Sequence, residues 1–143
     1  MDVTRGPMQV LIADDHEIVR RGVRSILESR EGLEICAEAV NGREAVDKAR
    51  RSHPDLIILD QAMPVLSGLG AATEIRQILP EVPILMLSMH DGKTLLDALR
   101  LIGARGFVPK AECANKLLEA VDAVLRGETF FDAEPSSCIG LSE

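Results

Sequence analysis

Apolar runs and amphipathic stretches alternate along this chain. Leu56-Ile57-Ile58-Leu59 ends on Asp60, with His53-Pro54 before it and Met63-Pro64 after. An uninterrupted run of that length suits a strand buried on both faces. Val10-Leu11-Ile12-Ala13, closing on Asp14-Asp15, has the same form, as does Ile84-Leu85-Met86-Leu87, introduced by Pro83 and closing on Ser88. Residues 33–39 instead alternate apolar with polar, the pattern of a strand with one wetter face. Phe107-Val108-Pro109 is short, ends on Lys110 and carries a proline, which fits a sheet edge.

Between these runs the apolar positions recur at helical spacing. Residues 16–28 place Ile18, Val19, Gly22, Val23, Ile26 and Leu27 on one stripe. A second helix over 43–52 buries Ala45, Val46 and Ala49, and a third over 68–79 presents Leu69, Ala72, Ile75 and Ile78 before Pro80 stops it. The fourth, 92–102, is apolar over more than one face, with Leu95, Leu96, Ala98, Leu99, Leu101 and Ile102. A fifth over 112–126 packs Leu117, Val121, Val124 and Leu125 and ends at Gly127, a helix-capping glycine. Five strand–helix alternations predict an α/β fold, a doubly wound parallel sheet with right-handed crossovers. With the wetter second strand and the proline-bearing fifth at its edges, the central five-stranded sheet takes the order 2-1-3-4-5.

At 143 residues the chain fits one domain that buries a core without disulfides or structural metal. Its three cysteines form no CxxC pair, so neither a disulfide framework nor a zinc site is expected. The net charge of -7, with no Trp or Tyr, argues against direct nucleic-acid contact by this segment. No apolar stretch approaches the roughly 18 residues of a membrane span, and residues 1–8 lack a secretory signal, so a cytoplasmic protein is expected. The expected organisation is a polar leader 1–8, a domain over 9–127, and residues 128–143 as a C-terminal tail or the start of an interdomain linker.

In a parallel sheet the four tips at Asp14-Asp15, Asp60, Ser88 and Lys110 face one side, where ligands of open α/β sheets bind. Three carboxylates repel one another unless a cation lies among them, and hard oxygen donors suit Mg2+, with Mn2+ as an alternative. With Lys110 and a divalent ion the site balances to near neutrality and can receive an anionic phosphoryl group.

On Asp14-Asp15, Asp60-Gln61-Ala62-Met63-Pro64, Ser88 and Lys110, in that order and spacing, the chain resembles the flavodoxin-like receiver domain of two-component response regulators across 9–127. The stretches Asp14-Asp15-His16-Glu17-Ile18-Val19-Arg20 and Gly103-Ala104-Arg105-Gly106-Phe107 look like the NarL/FixJ-type branch, whose members usually carry a LuxR-type helix-turn-helix. The resemblance implies that Asp60 accepts a phosphoryl group from a sensor histidine kinase. It further implies that Asp15, Asp60 and the Ala62 backbone carbonyl bind Mg2+, with Asp14 acting through water. Lys110 and Ser88 would hold the phosphoryl oxygens, and Ser88 with Phe107 would form the switch that repacks the fourth helix, fifth strand and fifth helix. Slow self-dephosphorylation is expected rather than turnover as an enzyme.

The chain departs from many receivers in having Pro109 before Lys110 and Ala111 after it. Met89 and Ala62 flank the entry of attacking water as a possible gate, and metal ligation by His16, His53 or His90 is not expected. Two other functions compete. An aspartyl-phosphate phosphatase generally carries a second Asp two residues past the nucleophile, where Ala62 stands. A phosphorylation-independent interaction module would not need the full acidic set. Phe130-Phe131 are expected to tuck against the domain, while Pro135-Ser136-Ser137 read as linker and Leu141-Ser142-Glu143 as the opening of a DNA-binding domain. A homodimer through the fourth and fifth helices or the first and fifth is a further expectation, with Leu96 and Leu101 as contacts.

Overall fold

The computed structural model describes residues 6–89 and 92–131. Its elements are β1 (Met8–Ala13), α1 (Glu17–Glu28), β2 (Leu33–Ala39), α2 (Gly42–Ser52), β3 (Leu56–Asp60) and α3 (Gly68–Ile78). They continue as β4 (Ile84–Ser88), α4 (Lys93–Ile102), β5 (Gly106–Pro109), a 3-10 turn (Lys110–Glu112), α5 (Cys113–Leu125) and β6 (Phe130–Phe131). All neighbouring strands pair in parallel in the order β2-β1-β3-β4-β5-β6.

The strand period of two divides the core into two layers. Leu11, Ile57, Leu59, Met86 and Phe107 face α2, α3 and α4, whereas Val10, Ile12, Ile58, Leu87 and Val108 face α1 and α5. Every residue of β3 and β4 is buried, as their unbroken apolar runs require. On the wetter β2 only Ala39 is fully buried, and it lies at the expected edge. Helix starts are fixed locally: the Asn41 side chain accepts from the Glu44 N–H at the head of α2, and Ser67 accepts from Gly70 at the head of α3.

Three expectations change. Phe130–Phe131 do tuck against the domain, but as a sixth strand, so β5 is an inner strand and not the edge. Pro109 is still accommodated, because β6 pairs only with Gly106 and Phe107 and leaves Pro109 opposite Ser88 alone. Ile18 leaves the α1 stripe and is 83% exposed, while Leu96, expected as a contact residue, is buried against Leu99 and only Leu101 of that pair stands in solvent. The three corrections share a cause. Burial is decided by which neighbouring element covers a residue, which helical spacing alone does not encode.

Candidate phosphoacceptor site

The site forms where β1, β3 and β5 end. Asp14 follows β1, Asp60 is the last residue of β3 and Lys110 opens the turn after β5. By the two-residue period all three continue the face packed by α1 and α5, while Ser88 at the end of β4 continues the opposite face. Asp14, Asp60 and Ser88 are buried to 2%, 1% and 4% exposure, whereas Asp15 is open to solvent. Lys110 Nζ lies 3.0 Å from Asp14 Oδ2 and 3.0 Å from Asp60 Oδ1, bridging the two buried acids.

Asp60 Oδ1 also accepts a long bond, 3.4 Å, from the Ala62 N–H. Its other oxygen, Oδ2, is buried without a hydrogen-bond partner among the described residues. Burial raises the Asp60 pKa above the ordinary carboxylate value; the Lys110 hydrogen bond opposes that rise and the Asp14 charge adds to it. Burial works against the Lys110 ammonium, yet its bonds to Asp14 and Asp60 outweigh this and raise its pKa. A buried carboxylate oxygen left bare is costly, and it offers a site for an electrophile or a cation.

The acids also fit a metal ion. Asp14, Asp15, His16 and Asp60 present ligand atoms that all lie within 4.8 Å of one another. His16 was not expected in this group. Its backbone N–H caps Asp14 Oδ1 at 2.9 Å and its Nδ1 stands 3.2 Å from Asp15 Oδ1, on a largely exposed ring. His53 is the left-handed cap of α2, before β3, and His90 lies outside the described residues.

Arg20 stands outside the apolar stripe of α1 and acts on the end of β1. It donates from Nη1 to the Asp14 carbonyl at 2.7 Å and from Nε to Glu38 at 2.8 Å, fixing the end of β1. Gln61 likewise accepts from the Leu69 N–H at 2.8 Å and ties the loop after Asp60 to α3. No periodicity singles out either residue; only their place in the stretches that carry the resemblance does.

The β3–α3 loop bends through Val65, whose φ of 71° is strained for a β-branched residue, and the Leu66 N–H closes a three-residue turn on the Pro64 carbonyl at 2.7 Å. This turn carries Leu66 onto α2 at Gly42, where a Cβ would stand 2.1 Å from the Leu66 carbonyl oxygen. Gly68 has the same role nearer the chemistry: a Cβ there would come within 2.4 Å of the Asp60 carbonyl oxygen and 2.9 Å of Met86 Sδ. Gly68→Ala is therefore expected to destabilise the fold by about 1–3 kcal/mol, as overpacking does, and to displace Asp60. Urea unfolding checks the first part, and the shift of the residue 60–62 amide resonances in the folded variant checks the second.

Ser88 and Phe107 share a face of the sheet. Phe107 is fully buried opposite Met86, two residues before Ser88 on β4. Met89 is 77% exposed beside the β4 end, and Ala62 is exposed after β3. Cys113 is buried, its thiol pushed up to about 11 by burial, so it is not a nucleophile for this site.

The family model described as the response regulator receiver domain matches residues 10–122. The oxygen regulatory protein NreC of Staphylococcus haemolyticus is 40% identical over 126 residues, covering 87% of this chain and 58% of that protein. The response regulator UvrY of Escherichia coli is 32% identical, covering 95% and 62%. The chain thus spans less than two thirds of the length of these curated relatives. A crystal structure of a LuxR-family two-component response regulator from Aurantimonas superposes with a TM-score of 0.85 at 32% identity, covering 92% of each chain. Fold, strand-end acids and sequence likeness agree, and the chain belongs to the response regulator receiver family, in its NarL/FixJ-type branch.

Proposed function

We propose that Asp60 is the phosphoacceptor, and the observation that carries this is its buried, unpartnered Oδ2 beside the Lys110 ammonium. A carboxylate oxygen of Asp60 attacks phosphorus in line, the P–N bond of a phosphohistidine on a sensor histidine kinase breaks, and the electron pair stays on the imidazole. Lys110 and the Ser88 hydroxyl hold the oxygens of the acyl phosphate. Asp15, Asp60 and the Ala62 carbonyl would hold Mg2+, or Mn2+, with Asp14 acting through water. The ion supplies charge cancellation between the acids and the incoming phosphoryl group.

Ser88 drawn toward the phosphoryl group favours the buried position that the Phe107 ring already occupies, and the population of α4, β5 and α5 shifts between two packings. The receiver unit is taken as residues 9–127, followed by the start of a linker. Its output is a LuxR-type DNA-binding domain beyond this segment, supported by the greater length of the relatives; residues 132–143, which carry the sequence clue, lie outside the described residues. A homodimer that forms on phosphorylation would use Leu101 on α4. Among the described residues no helix is long and apolar enough to cross a membrane, and a cytoplasmic setting fits a kinase-fed receiver.

Incubation with Mg2+ and acetyl phosphate, followed by intact mass measurement, should give a single phosphoryl adduct. Absence of an adduct would favour an interaction module that works without phosphate; rapid multiple turnover would favour a phosphatase. Once formed, the adduct hydrolyses slowly, and Met89, which follows Ser88 at the end of β4, is the residue assigned to slow the entry of water. Met89→Ala is expected to release phosphate roughly threefold faster, a barrier change of about 0.6 kcal/mol. An unchanged release rate removes Met89 from that role.

A further inference from the structure

We propose that β6 is a strap that holds the switch residue in place: Phe131, seated under Arg100, positions Phe107, and the chain leaving the domain senses the state of the site directly. The proposal rests on the phosphoacceptor reading of Asp60. Phe131 is the register partner of Phe107, so both side chains point to the same face of the sheet, and both belong to the cluster under α4. Phe107 thus has Met86 on one flank and Phe131 on the other. The Arg100 guanidinium of α4 lies 4.4 Å from the centre of the Phe131 ring, tying β6 to the helix that the switch repacks.

The approach is built into the backbone. Gly106 has no Cβ, and one placed there would stand 2.8 Å from the Phe130 carbonyl oxygen. Arg105 holds the entry to β6 at both ends, its Nη1 donating to Gly127 O and its carbonyl accepting from the Phe130 N–H, each at 2.9 Å. A strand of two residues adds little pairing of its own, so it can form and release at small cost. Strap and phosphoryl group favour the same buried Phe107, and by linkage each strengthens the other.

The test uses the full 143-residue chain with Mg2+ and beryllofluoride as the phosphoryl mimic. Fluorine resonances report whether the mimic binds, and amide exchange reports Phe130 and Phe131. The mimic should slow exchange in β6 about fivefold, and Phe131→Ala should weaken its apparent affinity about fivefold. Arg100→Ala, an exposed change that leaves the sheet intact, should act in the same direction, and Arg100→Lys, which keeps a cation over the ring, should restore most of the affinity. If Phe131→Ala does not fold, the Arg100 pair carries the test. Bound mimic with unchanged β6 exchange, or with affinities unmoved or tightened in the variants, overturns the strap and leaves Asp60 standing. Absence of bound mimic in the unaltered chain overturns the Asp60 reading and the strap with it.

Discussion

Asp60→Asn is expected to abolish specific phosphoryl uptake while raising stability at neutral pH. The substitution keeps the shape and one carbonyl oxygen for Lys110 but removes the nucleophile, so the mass of the chain should not change after incubation with acetyl phosphate and Mg2+. Labelling retained at another residue would move the reaction centre elsewhere. The stability part follows from burial, which raises the folded-state pKa of Asp60, with Asp14 adding to the effect and Lys110 opposing it. A carboxyl whose pKa is raised on folding contributes stability that is fully present below its unfolded value, about 3.9, and is lost as pH rises through the folded value. Asn mimics the uncharged form at every pH. Its advantage over Asp in urea unfolding should therefore be absent in acid, grow as pH rises above about 4, and level off once Asp60 is ionised. Mg2+, binding the folded acids, should stabilise the unaltered chain more than the variant.

The parts of this fold that could be read from the sequence are those in which one physical cause acts alone. β3 and β4 appear with their observed bounds because an apolar run set between Pro54 and Pro64, or introduced by Pro83 and closed by Ser88, is consistent with little besides a doubly buried strand. The acids were legible for the same reason, as each closes such a run. β6 was not, because two residues cannot display a period and Phe130–Phe131 acquire their meaning only from the Gly106 backbone beside them. The surplus apolar surface of α4 was visible, but its division was not: Leu96 goes inward, Leu101 outward, and Phe131 meets Arg100, a contact that no pattern on α4 announces. His16 and Arg20 act on Asp14 across a turn, a relation of space and not of spacing.

Lys110→Met tests whether that one cation is what makes the pair of buried acids tolerable. Lys110 touches both Asp14 and Asp60 at 3.0 Å with its side chain 14% exposed, and its replacement by an apolar side chain of similar length leaves two carboxylates facing each other. Removing one partner of a buried ion pair costs about 3–5 kcal/mol, and the lower end is expected here because the acids can take up a proton. Without the Lys110 hydrogen bond and charge, two of the three causes that hold it down, the Asp60 pKa rises further, and only the Ala62 N–H still opposes that rise. The variant's deficit in urea unfolding should then be small in acid, where the carboxyls are protonated in both states, and should widen as pH rises toward neutrality. On the alkaline side the same pair sets the unaltered chain's behaviour. Lys110 has a raised pKa, so its contribution persists below the ordinary lysine value and is lost only as pH passes through the folded one. Phosphoryl uptake at neutral pH should fall by roughly 10²-fold or more, the usual cost of removing a donor that meets developing negative charge. Mg2+ should recover part of the lost stability and little of the uptake, because the ion can offset the repulsion between the acids but does not replace a donor held at the phosphoryl oxygens. A variant as stable as the original at neutral pH would show that the acids are separated by something other than Lys110.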